Sequence, residues 1–251
     1  MLIRKNEYDK MANVEQSLWW YRSLHNQISK AIHRSFGKNK EISILDAGCG
    51  TGGLMLHLKE KGYANLKGFD LSDFAISYCR DRGLNVFAEN ILNAKNHFDP
   101  NTLDVIVSCD VLYFLEDQER RELIVDFYTL LKPGGILLLN LPALKMFSGI
   151  HDLSVGIQHR FHDKELDRLF YGKQFSLIKH YYWPLTLAPI ISFDRAKQRK
   201  KIRSGKFEVE SDIEMPSSII NNLLIGLMTF EQRFLPNINW GSSLFVIANK
   251  S

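Results

Sequence analysis

Short apolar runs and helical repeats alternate between residues 41 and 141, and this alternation restricts the chain to few folds. Residues 41–47 (EISILDA), 66–71, 86–88, 103–108 (LDVIVS) and 136–141 (ILLLNL) read as strands. Between them, residues 51–61, 72–82 and 117–131 read as amphipathic helices, the last stopped by Pro133-Gly134-Gly135. Strands separated by helices pair in parallel through right-handed crossovers. The expected fold is therefore α/β, a doubly wound Rossmann-like sheet. Ligands on such sheets bind beyond the carboxyl ends of the strands, so chemistry is expected just after residues 46, 70, 88 and 108.

The flanking segments complete a seven-stranded sheet. Residues 175–182 predict a sixth strand, and residues 243–250 (SLFVIANK) a seventh, antiparallel strand at the sheet edge. Residues 13–36 and 163–170 read as helices. The whole chain, 1–251, is expected to be one domain: a helical N-terminal cap (1–38), a cofactor-binding core (39–145), and an acceptor side (146–251). The acceptor side carries a C-terminal lid insertion at about 184–236 and the final strand. The three cysteines, Cys49, Cys79 and Cys109, form no C-x-x-C pair, so no metal site and no disulfide are expected. A net charge of +4 does not call for nucleic acid. The opening MLIRKNEYDKMANVEQ has no apolar run and no stretch is long enough to span a bilayer, so the expectation is a cytoplasmic protein.

The loop after the first strand reads Asp46-Ala47-Gly48-Cys49-Gly50-Thr51-Gly52-Gly53. Glycines let backbone approach a ligand, and the next helix offers free N–H groups. Gly48, Gly50 and Gly53 also fit G-x-G-x-x-G, which leaves a nicotinamide-dependent oxidoreductase open as an alternative. Asp46 separates the readings: a carboxylate at the loop mouth repels a pyrophosphate but suits an ammonium and a sulfonium. Asp70 ends the second strand, where an acid can accept both ribose hydroxyls. Its other role would be helix capping, a task Ser72 is placed to perform.

Taken in order, ILDAGCGTGG, GFDLS, SCDVLYFLED and LLKPGGILLLNLPA resemble the motifs of class I S-adenosylmethionine-dependent methyltransferases, of the bacterial type 11/12-like kind, over about residues 40–145. The resemblance implies that Gly48, Cys49 and Gly50 line the methionine part of S-adenosylmethionine. It implies that Asp70 holds the ribose and Leu71 packs on the adenine. Glu89 or Asn90 would meet the adenine amino group, with Ile91 also at the cofactor, and Cys109 and Asp110 would lie at the sulfonium end. The stretch from Glu15 to Arg22 resembles an acid-and-tryptophan patch that lies over the cofactor in some bacterial members; Trp20 would cover it and Arg22 would pair with the methionine carboxylate. Helix packing of the aromatics is the other reading of that patch. A non-catalytic module that keeps the cofactor fold is a further alternative.

The acceptor segment, residues 148–161, holds His151, Asp152 and His159. It resembles segments of methyltransferases of cell-surface glycan or lipid pathways and of quinone-precursor O-methyltransferases. His151, oriented by Asp152, is the expected general base, with His159 as second candidate. The expected reaction moves a methyl group to a small-molecule or lipid/glycan-linked acceptor, at oxygen. Farther on, a basic run from Arg195 to Lys206 precedes an amphipathic segment in which Ile220, Leu223, Leu224, Leu227, Phe230 and Phe234 share a face. This is either a peripheral membrane contact through 195–234 or a helix covering the acceptor pocket beside a solvated basic loop.

Overall fold

The computed structural model describes residues 5–172, 175–205, 207–209, 213–235 and 239–251. The strands are β1 (Ile44–Ala47), β2 (Leu66–Asp70), β3 (Val86–Ala88), β4 (Leu103–Cys109), β5 (Leu131–Pro142), β6 (Phe175–Trp183) and β7 (Ser243–Lys250). They form one sheet in the order β3-β2-β1-β4-β5-β7-β6. β1 to β5 pair in parallel, while β7 is antiparallel to both β5 and β6. This is the doubly wound α/β sheet with a reversed strand that the alternation predicted.

β7 is not at the edge. It lies between β5 and β6, with Leu244, Phe245, Val246 and Ala248 wholly buried. The edge falls to β6, whose Ser176, Lys179 and His180 are exposed. Polar, charged residues blunt an open edge, whereas a nearly continuous apolar run belongs inside a sheet.

Helices α3 (Gly53–Glu60), α4 (Asp73–Asp81) and α5 (Asp117–Leu130) follow β1, β2 and β4. One core lies on each face of the sheet. Phe69, Leu137, Leu139 and Phe127 lie in one, and Ile28, Leu58, Val105 and Leu138 in the other. Complete burial of each such side chain stabilises by roughly 1.5–3 kcal/mol.

At the N-terminus the continuous helix expected over 13–36 is broken into α1 (Lys5–Val14) and α2 (Trp19–Phe36). The break turns Glu15 inward. Its carboxylate, only 3% exposed, accepts from the Thr51 hydroxyl (2.7 Å) and the Gly53 N–H (3.0 Å), and pairs with Arg82. A buried carboxylate with these donors outweighs the helical hydrogen bonds given up at residues 15–18.

In the C-terminal part, α6 (Ile150–Val155) and α7 (Leu166–Leu169) precede β6. The basic run is helical and not a loop: it forms most of α8 (Ala188–Arg203), with Lys206 outside the described residues. The amphipathic segment forms α9 (Ser218–Phe234), which packs along α2. Met228 is buried on the inward side of α9, and polar contacts flank it. Asn221 accepts from the Trp19 N–H and donates to the Ser17 carbonyl, while Gln232 donates to the Ser23 carbonyl. Ile220, Leu223, Phe230 and Phe234 face outward instead of covering a pocket.

Candidate active site

A cavity of about 700 Å³ opens beyond the carboxyl ends of β1, β2, β3 and β4, within the size range of small-ligand sites. Asp46, Gly48, Cys49, Gly50, Asp70, Leu71, Glu89, Asn90, Ile91, Cys109, Asp110 and Trp20 all line it. Twelve of the thirteen side chains expected at a cofactor thus share one wall system. Arg22, the thirteenth, does not line it; α2 turns Arg22 to solvent.

Gly48 has φ +85°, and a Cβ there would lie 2.4 Å from Val111 Cγ2. Glycine is thus required both by the backbone conformation and by the approach of the β4 loop. Asp70 secures the next turn: one carboxyl oxygen accepts from the Gly50 N–H (3.0 Å) and the other from the Ser72 N–H (2.9 Å). Ser72 itself makes no side-chain cap on α4, and Asp70 bonds the Ser72 N–H that precedes the helix. Each carboxylate oxygen can accept more than one hydrogen bond, so this bracing leaves capacity for a diol. Leu71 beside it is an apolar side chain 50% exposed at the cavity wall, a surface a flat ring would cover. Glu89 is tied to Asn93, His97 and the Asn90 N–H, which hold its carboxyl down at about 2. Asn90 accepts from the Leu92 N–H.

Two carboxyls line the cavity, that of Asp46 buried and that of Asp110 partly buried. Burial, then the charges of Asp70 and Glu15, push Asp46 up to about 7. Burial pushes Asp110 up to about 7 against the stabilising hydrogen bond from Asn140. A positive ligand would relieve both penalties. Asp110 also has φ +56°, a conformation that costs a non-glycine residue free energy and is common at functional sites. The cap adds residues that no local motif marks: Tyr8, Met11 and Tyr21 from α1 and α2 line the same cavity. The Glu15–Thr51–Gly53 contacts clamp that cap to the glycine loop.

Comparison with known proteins agrees with this geometry. A methyltransferase-domain family model matches residues 44–135. The chain is 31% identical over 141 residues to a Geobacillus sp. protein classed as a methyltransferase, covering 49% of this chain and 55% of that one. It is 30% identical over 117 residues to phosphoethanolamine N-methyltransferase of Plasmodium falciparum, covering 45% and 44%. Residues 44–135 thus match a methyltransferase domain. The fold extends over the rest: a solved methyltransferase from Thermotoga maritima superposes with a TM-score of 0.59 at 16% identity, covering 98% of this chain and 96% of that one. The sequence matches reach only about half the length of these curated relatives.

On the side of the cavity where an acceptor is expected, His151 lines the wall and His159 does not. His159 bonds Glu165 at 2.7 Å and stands edge-on to Phe161. Asp152 does not orient His151: it grips Arg160 through two hydrogen bonds of 2.7 Å. Arg160 also donates to the Ala143 carbonyl (2.9 Å), which fastens the acceptor segment to the end of β5. From α8, Ile191 and Arg195 reach the cavity, whereas no residue of α9 does. Among the described residues no group of His, Cys, Asp and Glu could hold a metal ion.

Proposed function

We propose that this protein is a methyltransferase that moves a methyl group from S-adenosylmethionine to a small-molecule acceptor held in the cavity. The observation that carries this is the continuity of one cavity from Gly48, Asp70 and Glu89 to Tyr21, His151 and Arg195. Bound S-adenosylmethionine supplies an electrophilic methyl group on a sulfonium. Asp70 is placed to hold ribose hydroxyls, Leu71 to cover the adenine, and Asn90 or Ile91 to meet its edge. Asp46 and Asp110 supply negative charge for the cationic part of the ligand. Positioning and exclusion of water then contribute roughly 7–11 kcal/mol to lowering the barrier.

For a hydroxyl acceptor, His151 takes the proton. The imidazole lines the cavity at the segment that closes over the end of β5, and a general base adds about 10²–10⁴-fold. A second reading, methylation at nitrogen, is favoured by the acidic character of the cavity. Asp46, Asp110, Glu119 and Glu214 outnumber Arg195 and the Asp152-paired Arg160. The similarity to a phosphoethanolamine N-methyltransferase points the same way. Incubation with methyl-labelled S-adenosylmethionine and separate panels of phenols, sugar hydroxyls and small amines decides between them. Label in an O-methyl product, lost in His151→Gln, supports the oxygen reading. Label only in amines supports the nitrogen reading. No label in any product, with cofactor bound, would leave a non-catalytic module.

A further inference from the structure

α9 is built inside out for a helix on a water-soluble surface. Its only acid, Glu231, is 2% exposed and faces inward. There it accepts from the Leu185 and Thr186 N–H groups at 2.8 Å and from the Thr186 hydroxyl at 2.7 Å. Asn221, 5% exposed, faces the same way. The outward stripe is apolar: Ile219 (83% exposed), Leu223 (71%), Phe230 (54%) and Phe234 (57%). These positions are offset by four, eleven and fifteen residues, which places them within about 60° of one another on a helix. The stripe runs roughly 22 Å, the rise of fifteen residues.

Met228, 1% exposed, packs inward with Asn221 and Glu231, so α9 already has a packed side and its outward apolar stripe is additional to it. That side is filled by α2, through the Asn221 and Gln232 hydrogen bonds. The apolar stripe therefore serves another surface. The neighbouring helix indicates which. α8 follows directly from Leu185 and Thr186, the residues held by Glu231, so α9 grips the start of α8. On α8, Ile190 (68% exposed) and Phe193 (65%) are followed by exposed Lys197, Lys200, Lys201 and Arg203. The Lys197 ammonium lies 4.4 Å from the Phe193 ring centroid. Asp194 is the one acid in α8, and the exposed charge of α9 is Arg233. An outward apolar stripe on α9 without exposed carboxylates, tied through Glu231 to the start of a lysine-bearing α8, matches an anionic bilayer surface. Rings and alkyl chains enter the headgroup boundary and ammonium groups meet lipid phosphates. No helix among the described residues is long and apolar enough to cross a membrane, so the contact is with the surface.

We infer that α8 and α9 form a peripheral docking face for anionic membrane lipid. This inference stands apart from the methyl-transfer reading, because α9 lines no part of the cavity. The test is co-sedimentation of the full chain with vesicles of phosphatidylcholine containing roughly 25% phosphatidylglycerol, with binding of S-adenosylmethionine measured by calorimetry in parallel. Wild-type protein should sediment at low salt. Sedimentation should fall at least about tenfold at high salt, with pure phosphatidylcholine, and in the Leu223→Glu/Phe230→Glu variant. That variant should keep wild-type cofactor affinity and melting temperature, since both positions face solvent. Lys197→Glu/Lys200→Glu should lose sedimentation with the α9 stripe intact. Failure of wild type to sediment at low salt would overturn the inference. So would sedimentation unchanged in both variants. So too would a dimer in solution that Leu223→Glu/Phe230→Glu converts to monomer, which would assign the stripe to a second copy of the chain.

Discussion

Asn140 and Asp110 hold each other by two hydrogen bonds. The Asn140 carboxamide donates to an Asp110 carboxyl oxygen at 3.0 Å, and the Asp110 N–H donates to the Asn140 carbonyl at 2.9 Å. The other end of the carboxamide is fixed by the Trp183 indole N–H, 3.0 Å away, and Trp183 in turn stacks on the cavity residue Trp20. Cap, sheet centre and cavity carboxyl are thus linked by one chain of contacts. Replacing Asn140 by Leu removes a donor to Asp110 and strands the Trp183 N–H. The expected cost is about 1–3 kcal/mol of stability, measured by chemical denaturation, with the apparent pKa of Asp110 rising further. Trp183→Phe, which leaves the Asn140–Asp110 bond possible, should cost less and leave that pKa closer to wild type.

The pH dependence of ligand binding follows from Asp46 and Asp110. Both sit near 7 in the folded protein, above the ordinary carboxylate value. A raised carboxyl contributes stability that is fully present below its unfolded pKa and is lost as pH rises through the folded one. The unliganded protein should therefore lose stability between about pH 4 and pH 8. A sulfonium ligand needs these groups charged, so its affinity should rise about tenfold between pH 6 and pH 8 for each carboxylate required. S-adenosylhomocysteine, without the sulfonium charge, should show a smaller rise. Calorimetric titrations at several pH values check both slopes, and a flat profile for both ligands would show that the carboxyls do not meet the cation.

Gly48→Ala tests the loop. The φ of +85° and the 2.4 Å approach to Val111 Cγ2 predict a loss of at least about 1–2 kcal/mol from the backbone conformation alone. Adding Val111→Ala should restore the part due to the clash and leave the conformational part.

His151→Gln should keep cofactor affinity and reduce turnover of a hydroxyl acceptor by about 10²–10⁴-fold. His159→Gln should not, because its ring is bonded to Glu165 away from the cavity. Steady-state rates at saturating acceptor separate a base from a residue that only braces the loop.

What the sequence made legible were features written locally. The glycine loop, Asp70, the 89–91 segment and Asp110 each end or directly follow a strand, and strand ends converge on one side of a parallel sheet. Features that depend on which distant segment packs where were not legible. Nothing near Glu15 announces Thr51, Gly53 and Arg82 as its partners, so the helix break at residues 15–18 went unread. Asp152 adjoins His151 in sequence, but the helical turn of α6 points it to Arg160. β7 reads as antiparallel, yet its place between β5 and β6 is decided by which strand can tolerate an open edge. The outward face of α9 ran against the ordinary rule that apolar stripes face the core. Tyr8 and Tyr21 enter the cavity only because the cap folds over it.

The most direct test is calorimetric titration of the wild-type chain and Asp70→Ala with S-adenosylmethionine, S-adenosylhomocysteine and NAD. A methyltransferase built around Asp70 binds the first two at one site per chain and does not bind NAD. Asp70→Ala should weaken the sulfonium ligand by about 1.5–3 kcal/mol, the worth of hydrogen bonds to a charged group, and should also soften the loop by freeing the Gly50 and Ser72 N–H groups. Binding of NAD without binding of S-adenosylmethionine, or unchanged affinity in a folded Asp70→Ala variant, would contradict the cofactor assignment.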